Sequence, residues 1–139
     1  MISIDQGVGR NCANRRPDVL LVQFLLKVSD ESPAHAHWWK VKRGRASKID
    51  GIYGEHTQSL IDQIQEQVQP GRGDKVARDG RVDPIANSSY YGARTGVLMT
   101  MVVLNLMYME STGSSDISSM PHHPLWPKEL SQGLQLTIH

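Results

Sequence analysis

The stretch that most restricts this chain is Lys48 to Val68, KIDGIYGEHTQSLIDQIQEQV, where a tight turn runs straight into an amphipathic helix. Asp50-Gly51 is a turn dipeptide, because glycine takes positive φ at no steric cost and the aspartate can bond nearby amides. Gly54 lets the chain bend again just before Glu55, His56 and Thr57 open the helix. Leu60, Ile61, Ile64 and Val68 fall at i, i+1, i+4 and i+8, one face of a 3.6-residue period. Asp62, Gln63, Glu66 and Gln67 cover the opposite face, and Pro70-Gly71 stops the helix. Gly51 and Gly54 are both expected to hold backbone conformations that a Cβ would strain.

Two more helices flank this one. In NRRPDVLLVQFLLKVSD, Pro17 suits a first helical turn, Asp18 complements the amino-terminal dipole, and Val19 to Val28 is mostly apolar. Val19, Val22 and Leu26 share a face that Leu21, Leu25 and Val28 widen, so this helix is buried on more than one side. Val97 to Met109, VLMTMVVLNLMYM, is nearly continuous in apolar residues but contains Thr100 and Asn105. It falls short of the roughly 20 residues of a membrane span and reads as a buried core helix, with methionines filling gaps. The pattern predicts helices near 17–29, 57–69 and 94–110, with Val22, Leu25, Leu26, Leu60, Ile61, Ile64, Val102, Val103 and Leu106 in the core. A second turn, Asp79-Gly80 followed by Val82 and Asp83-Pro84, faintly echoes the first ahead of the third helix. Residues 111–139 are rich in Ser and Pro and read as an irregular tail, packed only through Leu125, Trp126, Leu134, Leu136 and Ile138.

At 139 residues and 39% hydrophobic content, the chain can bury one modest core. The expected division is a helical domain over 1–110 and the tail over 111–139. A formal charge of +1 gives no global case for nucleic acid. The single cysteine, Cys12, rules out an intramolecular disulfide framework. MISIDQGVGRN lacks the basic segment and apolar run of a cleaved secretory signal, so cytoplasmic residence is the plain expectation.

Catalytic and metal chemistry find little footing. His35-Ala36-His37 and His122-His123 could each supply two ligands, but zinc needs three or four that converge, and no further cluster has recognisable spacing. The histidine pairs therefore read as polar loop residues. Cys12 has no motif for a base or an oxyanion site, even with His56 as a partner, and reads as a small buried hydrophobe. No enzyme activity, metal or cofactor is expected.

WWKVKRGRASK, Trp38 to Lys48, sets two tryptophans beside Lys40, Lys42, Arg43, Arg45 and Lys48. Aromatic faces stack on apolar sugar or base faces, while cations meet carboxylates or phosphates. Equally, one tryptophan could plug the core beneath a solvated basic rim, since neighbours on an extended segment point opposite ways.

DVLLVQFLL, Asp18 to Leu26, followed by IDGIYGEHTQSLIDQIQ, Ile49 to Gln65, resembles the peptidoglycan-binding-like domain family. Val22-Gln23 and Leu25-Leu26 match its first helix, and Asp50, Gly51, Tyr53, Gly54 and Thr57 match its Asp-Gly-x-aromatic-Gly-x-x-Thr loop. Ile64-Gln65 stands where Phe-Gln is usual. GVGRNCANRRPDV, Gly7 to Val19, is similar to a subtype with Val-Gly-x-Gly-Gly-x-Asn ahead of the first helix, with Asn11 and Cys12 in place of two glycines. DGRVDP, Asp79 to Pro84, also resembles that subtype. The likeness covers roughly residues 7 to 110.

The resemblance implies an all-α, compact three-helix module with glycine-rich connecting loops. It also implies non-catalytic binding of peptidoglycan or a muropeptide. The subtype is similar to modules of cell-wall effectors of type VI secretion, which reach the periplasm without a cleaved signal, so a wall-hydrolase effector or a secretion component is a further expected partner. The candidate ligand-binding residues are Trp38, Trp39, Arg43, Arg45, Asp50, Tyr53, Thr57, Asp79 and Arg81. Tyr53 would offer an aromatic face, and Arg43 and Arg45 would pair with carboxylates. The competing expectation is a protein-interaction adaptor or immunity-type partner that kept the fold and lost wall binding. The long 29–48 connection and the tail favour it by adding surface.

Overall fold

Apolar periodicity becomes three α-helices: α1 (Arg16–Glu31), α2 (Glu55–Gln67) and α3 (Thr100–Thr112). The computed structural model describes residues 1–31, 48–67, 75–76, 78–85, 97–113, 117–131 and 137–138. Val68, Pro70 and Gly71 lie outside them. Among the described residues the chain is mostly helical, but it is not all-α. Three two-stranded ladders join distant segments: β1 (Ile2–Ser3) pairs antiparallel with β6 (Thr137–Ile138), β2 (Val8–Gly9) antiparallel with β4 (Arg81–Val82), and β3 (Lys75–Val76) parallel with β5 (Val97–Leu98). Strands of two residues have no room for the alternation that would announce them in sequence. The last ladder also explains why α3 starts at Thr100 rather than near residue 94. Val97 and Leu98 are spent on pairing, and Met99 is still extended at φ −70° and ψ 138°.

α1 packs along α3 at the centre of the molecule. Val22, Leu25, Leu26, Val102 and Val103 are buried there as expected, while Leu106 is half-buried at the margin of the same core. α2 joins through Leu60, Ile61 and Ile64, and meets strand β2. Asp18 in the first turn of α1 is buried, and its carboxylate accepts the N–H groups of Asp5 (2.9 Å) and Gln6 (3.2 Å).

Residues 117–131, expected to be an irregular tail, hold regular structure. Two 3-10 helices, Ile117–His122 and Lys128–Ser131, bury Met120 and Leu130, Trp126 is buried between them, and the second helix lies against α1. Phe24 of α1 meets Trp126 edge-on at 5.1 Å between ring centroids, and Tyr108 of α3 at 5.9 Å. The C-terminal stretch thus completes the same core, with Leu125 packed at its edge. Leu134 and Leu136 lie outside the described residues.

Candidate functional site

Each Asp-Gly turn is gripped by a buried glutamine from the preceding helix. Gln23 of α1 turns its Oε1 to accept the N–H groups of Asp50 (3.1 Å) and Gly51 (2.8 Å). Its Nε2 donates to Asp50 Oδ1 (3.1 Å), the Ile52 carbonyl (3.2 Å) and Thr57 Oγ1 (3.2 Å). Gln65 of α2 does the same one helix later. Its Oε1 accepts the Gly80 N–H (2.8 Å), and its Nε2 donates to Asp79 Oδ1 (3.1 Å), the Arg81 carbonyl (2.9 Å) and Thr100 Oγ1 (2.9 Å). Within each turn the aspartate accepts the N–H two residues on, Ile52 (2.9 Å) or Arg81 (3.0 Å). Gly51 and Gly80 sit at φ 73° and 72°, where a side chain is strained. An arginine lies over each: a Cβ on Gly51 would come within 2.9 Å of Arg16, and one on Gly80 within 2.3 Å of Arg10. The third helix carries a shorter carboxamide, Asn105, which accepts the Ile2 N–H (2.8 Å) and donates to the Ile2 carbonyl (2.9 Å).

The surroundings of the two turns then diverge. Arg16 donates to the Asp50 carbonyl at 2.7 Å and grips both Glu129 oxygens at 2.8 and 2.6 Å, which fastens the first turn to the C-terminal 3-10 helix. These hydrogen bonds hold the Glu129 carboxyl below the usual carboxylate range, and the Ile52 N–H does the same for Asp50. Arg10, over the second turn, reaches Asp62 Oδ2 at 3.0 Å and borders a surface groove of about 570 Å³, within the usual range for small-ligand sites.

One wall of the groove is α2, where Glu55, Gln58, Asp62 and Glu66 recur every three or four residues and so share a face. Tyr53 and Gly54 of the first loop form another. The Tyr53 hydroxyl donates to Gln58 Oε1, while Gln58 Nε2 donates to Asp62 Oδ1 and to the Gly80 carbonyl, both at 2.9 Å. Burial pushes the Tyr53 hydroxyl pKa up, with the Arg10 charge opposing and the Asp62 charge adding. The hydroxyl therefore keeps its proton at neutral pH. Among the described residues, Glu55, Asp62, Glu66 and Arg10 are the charged side chains of the lining.

Of the nine candidate ligand residues, Tyr53 lines this groove. Asp50 and Asp79 use their carboxylates inside their own turns, and Thr57 is buried with its hydroxyl bonded to Gln23. Arg81 is exposed and lies 3.6 Å from Asp83 and 3.8 Å from Asp79. Trp38, Trp39, Arg43 and Arg45 fall outside the described residues, as do His35 and His37. Arg10 and Gln58 escaped sequence reasoning, because neither stands at an apolar stripe position or at a defining position of the loop patterns.

Gly54 departs from expectation. Its φ is ordinary and a Cβ there would meet nothing within 4 Å, so it leaves room in the groove wall rather than relieving strain. Asn11 and Cys12, ahead of α1, are accommodated differently. Asn11 takes φ 60°, a conformation that asparagine tolerates. Cys12 is half-buried, and its Sγ lies 3.5 Å from the Arg10 carbonyl. Burial, helped by Asp83, pushes the Cys12 thiol up, which disfavours the thiolate. Among the described residues no group of three or more His, Cys, Asp or Glu side chains could hold a metal ion, and no helix is long and apolar enough to cross a membrane. No family model, no curated protein and no solved structure matches this chain.

Proposed function

We propose that this chain is a non-catalytic module that holds peptidoglycan, with the groove along α2 as its ligand site. The observation that carries this reading is the placement of Tyr53. It is the aromatic residue of the loop that resembles the wall-binding family, and that loop delivers it to a polar groove on a backbone pinned by Gln23. A rigid aromatic face beside several hydrogen-bonding side chains suits a sugar, whose ring has apolar faces and a rim of hydroxyls. A three-helix module of this kind would act at the cell wall, joined there by a wall-hydrolase effector or a secretion component. The test is capture of the purified chain on insoluble peptidoglycan sacculi. Tyr53→Ala should weaken capture about tenfold, the scale of one well-placed aromatic contact. Retention unchanged by that substitution would move the site elsewhere.

A second reading, a protein-interaction adaptor, draws on Ile52. It is 66% exposed at the tip of the same pinned loop, a rigid apolar point that a protein partner could cover. Ile52→Ser should spare sacculus capture under the first reading and abolish partner capture under the second.

A further inference from the structure

The Tyr53 ring is held at two ends by different parts of the molecule. Gln23 pins the backbone of its loop, but a pinned backbone still leaves more than one side-chain rotamer open. The second hold is at the far end of the ring, where the hydroxyl donates to Gln58 Oε1. Gln58 is only 8% exposed, and both protons of its Nε2 are committed, to Asp62 Oδ1 and to the Gly80 carbonyl at 2.9 Å each. A carbonyl and a carboxylate paired with Arg10 only accept, so the amide cannot turn over and Oε1 stays on Tyr53. Asp62 is one turn further along α2 and travels with Gln58. The Gly80 carbonyl belongs to the second Asp-Gly turn, and Gly80 does not line the groove. Its own N–H is held by Gln65 Oε1 at 2.8 Å, and a Cβ on Gly80 would lie 3.3 Å from Gln58 Nε2, so the missing side chain leaves the amide its approach.

We infer that Gln58 is the positioning residue of the groove: it sets the Tyr53 ring from the second Asp-Gly turn, so that this turn governs ligand affinity without touching the ligand. This role rests on the groove being the ligand site proposed above, and it names what regulates that site. The holds run from Gln65 to Gly80 to Gln58 to Tyr53, hydrogen bonds in series, and the Gln58–Gly80 bond is buried. A ring fixed at both ends loses little freedom when a sugar stacks on it. A ring fixed only by its backbone must be immobilised by the ligand, which weakens binding. Asp79 gives access to this link from outside the groove lining. Its carboxylate accepts from Gln65 Nε2 (3.1 Å) and from the Arg81 N–H (3.0 Å) inside the second turn. Arg10 also meets this turn, its N–H lying on the Gly80 carbonyl at 3.1 Å, and so offers a second path to the groove that the test must separate.

The experiment labels the tyrosine rings of the full chain with carbon-13 and follows them by NMR without ligand. The chain has four tyrosines, so the spectrum is sparse, and Tyr53→Phe identifies the Tyr53 signals. Asp79→Ala should shift those signals, and in a Gln58→Met background it should shift them no further. The same pairing is then read on sacculus capture. Asp79→Ala and Gln58→Met should each weaken capture about threefold, the scale of immobilising one side chain, and together no more than either alone. Tyr53→Phe cuts the link at the hydroxyl, so it should cost a similar factor and abolish the response of capture to Asp79→Ala. Where Gln58→Met or Asp79→Ala does not fold, Gln58→Glu, which keeps the acceptor for Tyr53 and loses the donor to Gly80, and the milder Asp79→Asn carry the same cycle. A Tyr53 shift of equal size without Gln58 would assign the effect to Arg10, and no shift at all would leave Tyr53 to its own loop. Either result overturns the inference, as does sacculus capture that ignores Asp79→Ala. Absent sacculus capture would remove the wall reading, while the ring signals would still decide the role of Gln58.

Discussion

The two Asp-Gly turns are built from the same parts and end in different situations. Each has a helical glutamine beneath it, a threonine of the following helix at its side, a glycine near φ 72° and an arginine on top. At the first turn the arginine is taken by Glu129 and the C-terminal segment lies over it. At the second the arginine turns to Asp62 and leaves an open groove beside it. A conserved local solution to a backbone problem therefore does not dictate what the surface above it does. The clasp is interior chemistry and answers to buried N–H groups; the outer layer answers to whichever charged residue comes within reach.

The largest effects should come from the clasps themselves. Gln23→Leu and Gln65→Leu each strand buried amide and carbonyl groups, and each should lower stability by about 3 kcal/mol in urea unfolding. If the clasps are independent, the double variant should match the sum within about 0.5 kcal/mol. A markedly larger loss at one site would show that the two turns are unequal in weight despite their common geometry.

Glycine substitutions come next. Gly51→Ala and Gly80→Ala force a side chain into the left-handed region and against an arginine, so each should cost about 1–2 kcal/mol. Gly54→Ala should leave the melting temperature unchanged, because its φ is ordinary and the space is open. Equal losses at all three positions would contradict the dihedrals described above.

The smallest effect concerns acid. Asp50 and Glu129, both at the first turn, have pKa values lowered by folding. A carboxyl with a lowered folded pKa contributes stability that is complete above its unfolded pKa and lost as pH falls through the folded value. The first turn should therefore loosen below about pH 4, seen as movement of the Gly51 amide resonance. Glu129→Gln should remove part of that response, and a resonance flat down to pH 2 would refute it.

Much of this was legible in the sequence, and the illegible parts have physical reasons. α1 and α2 declared themselves through long apolar stripes and end signals, and the bounds came within two residues of expectation. The core of α3 was visible, but its start was not, since pairing with β3 depends on a segment far away in the chain. Met120 and Leu130 looked like lone apolar residues in a Ser/Pro-rich run, yet both are buried. Gln23 and Gln65 did leave a trace: each interrupts an apolar face, and a polar side chain in such a place needs a partner. Which backbone it grips is a tertiary fact. The groove was the least legible feature, because Arg10 and α2 meet only in the folded chain.

Ile2 lies beside Ile138 in the β1–β6 ladder, while Asn105 grips Ile2 from α3. Gln23 fastens the segment leading into α2, Gln65 the segment leading into α3, and Asn105 the segment leading into α1. The fastenings form a closed ring with no privileged starting point. A circular permutant that links the neighbourhood of β1 and β6, with new termini opened at a surface connection, would keep all three intact. The order in which a ribosome delivers these helices is then separable from the order in which they hold one another.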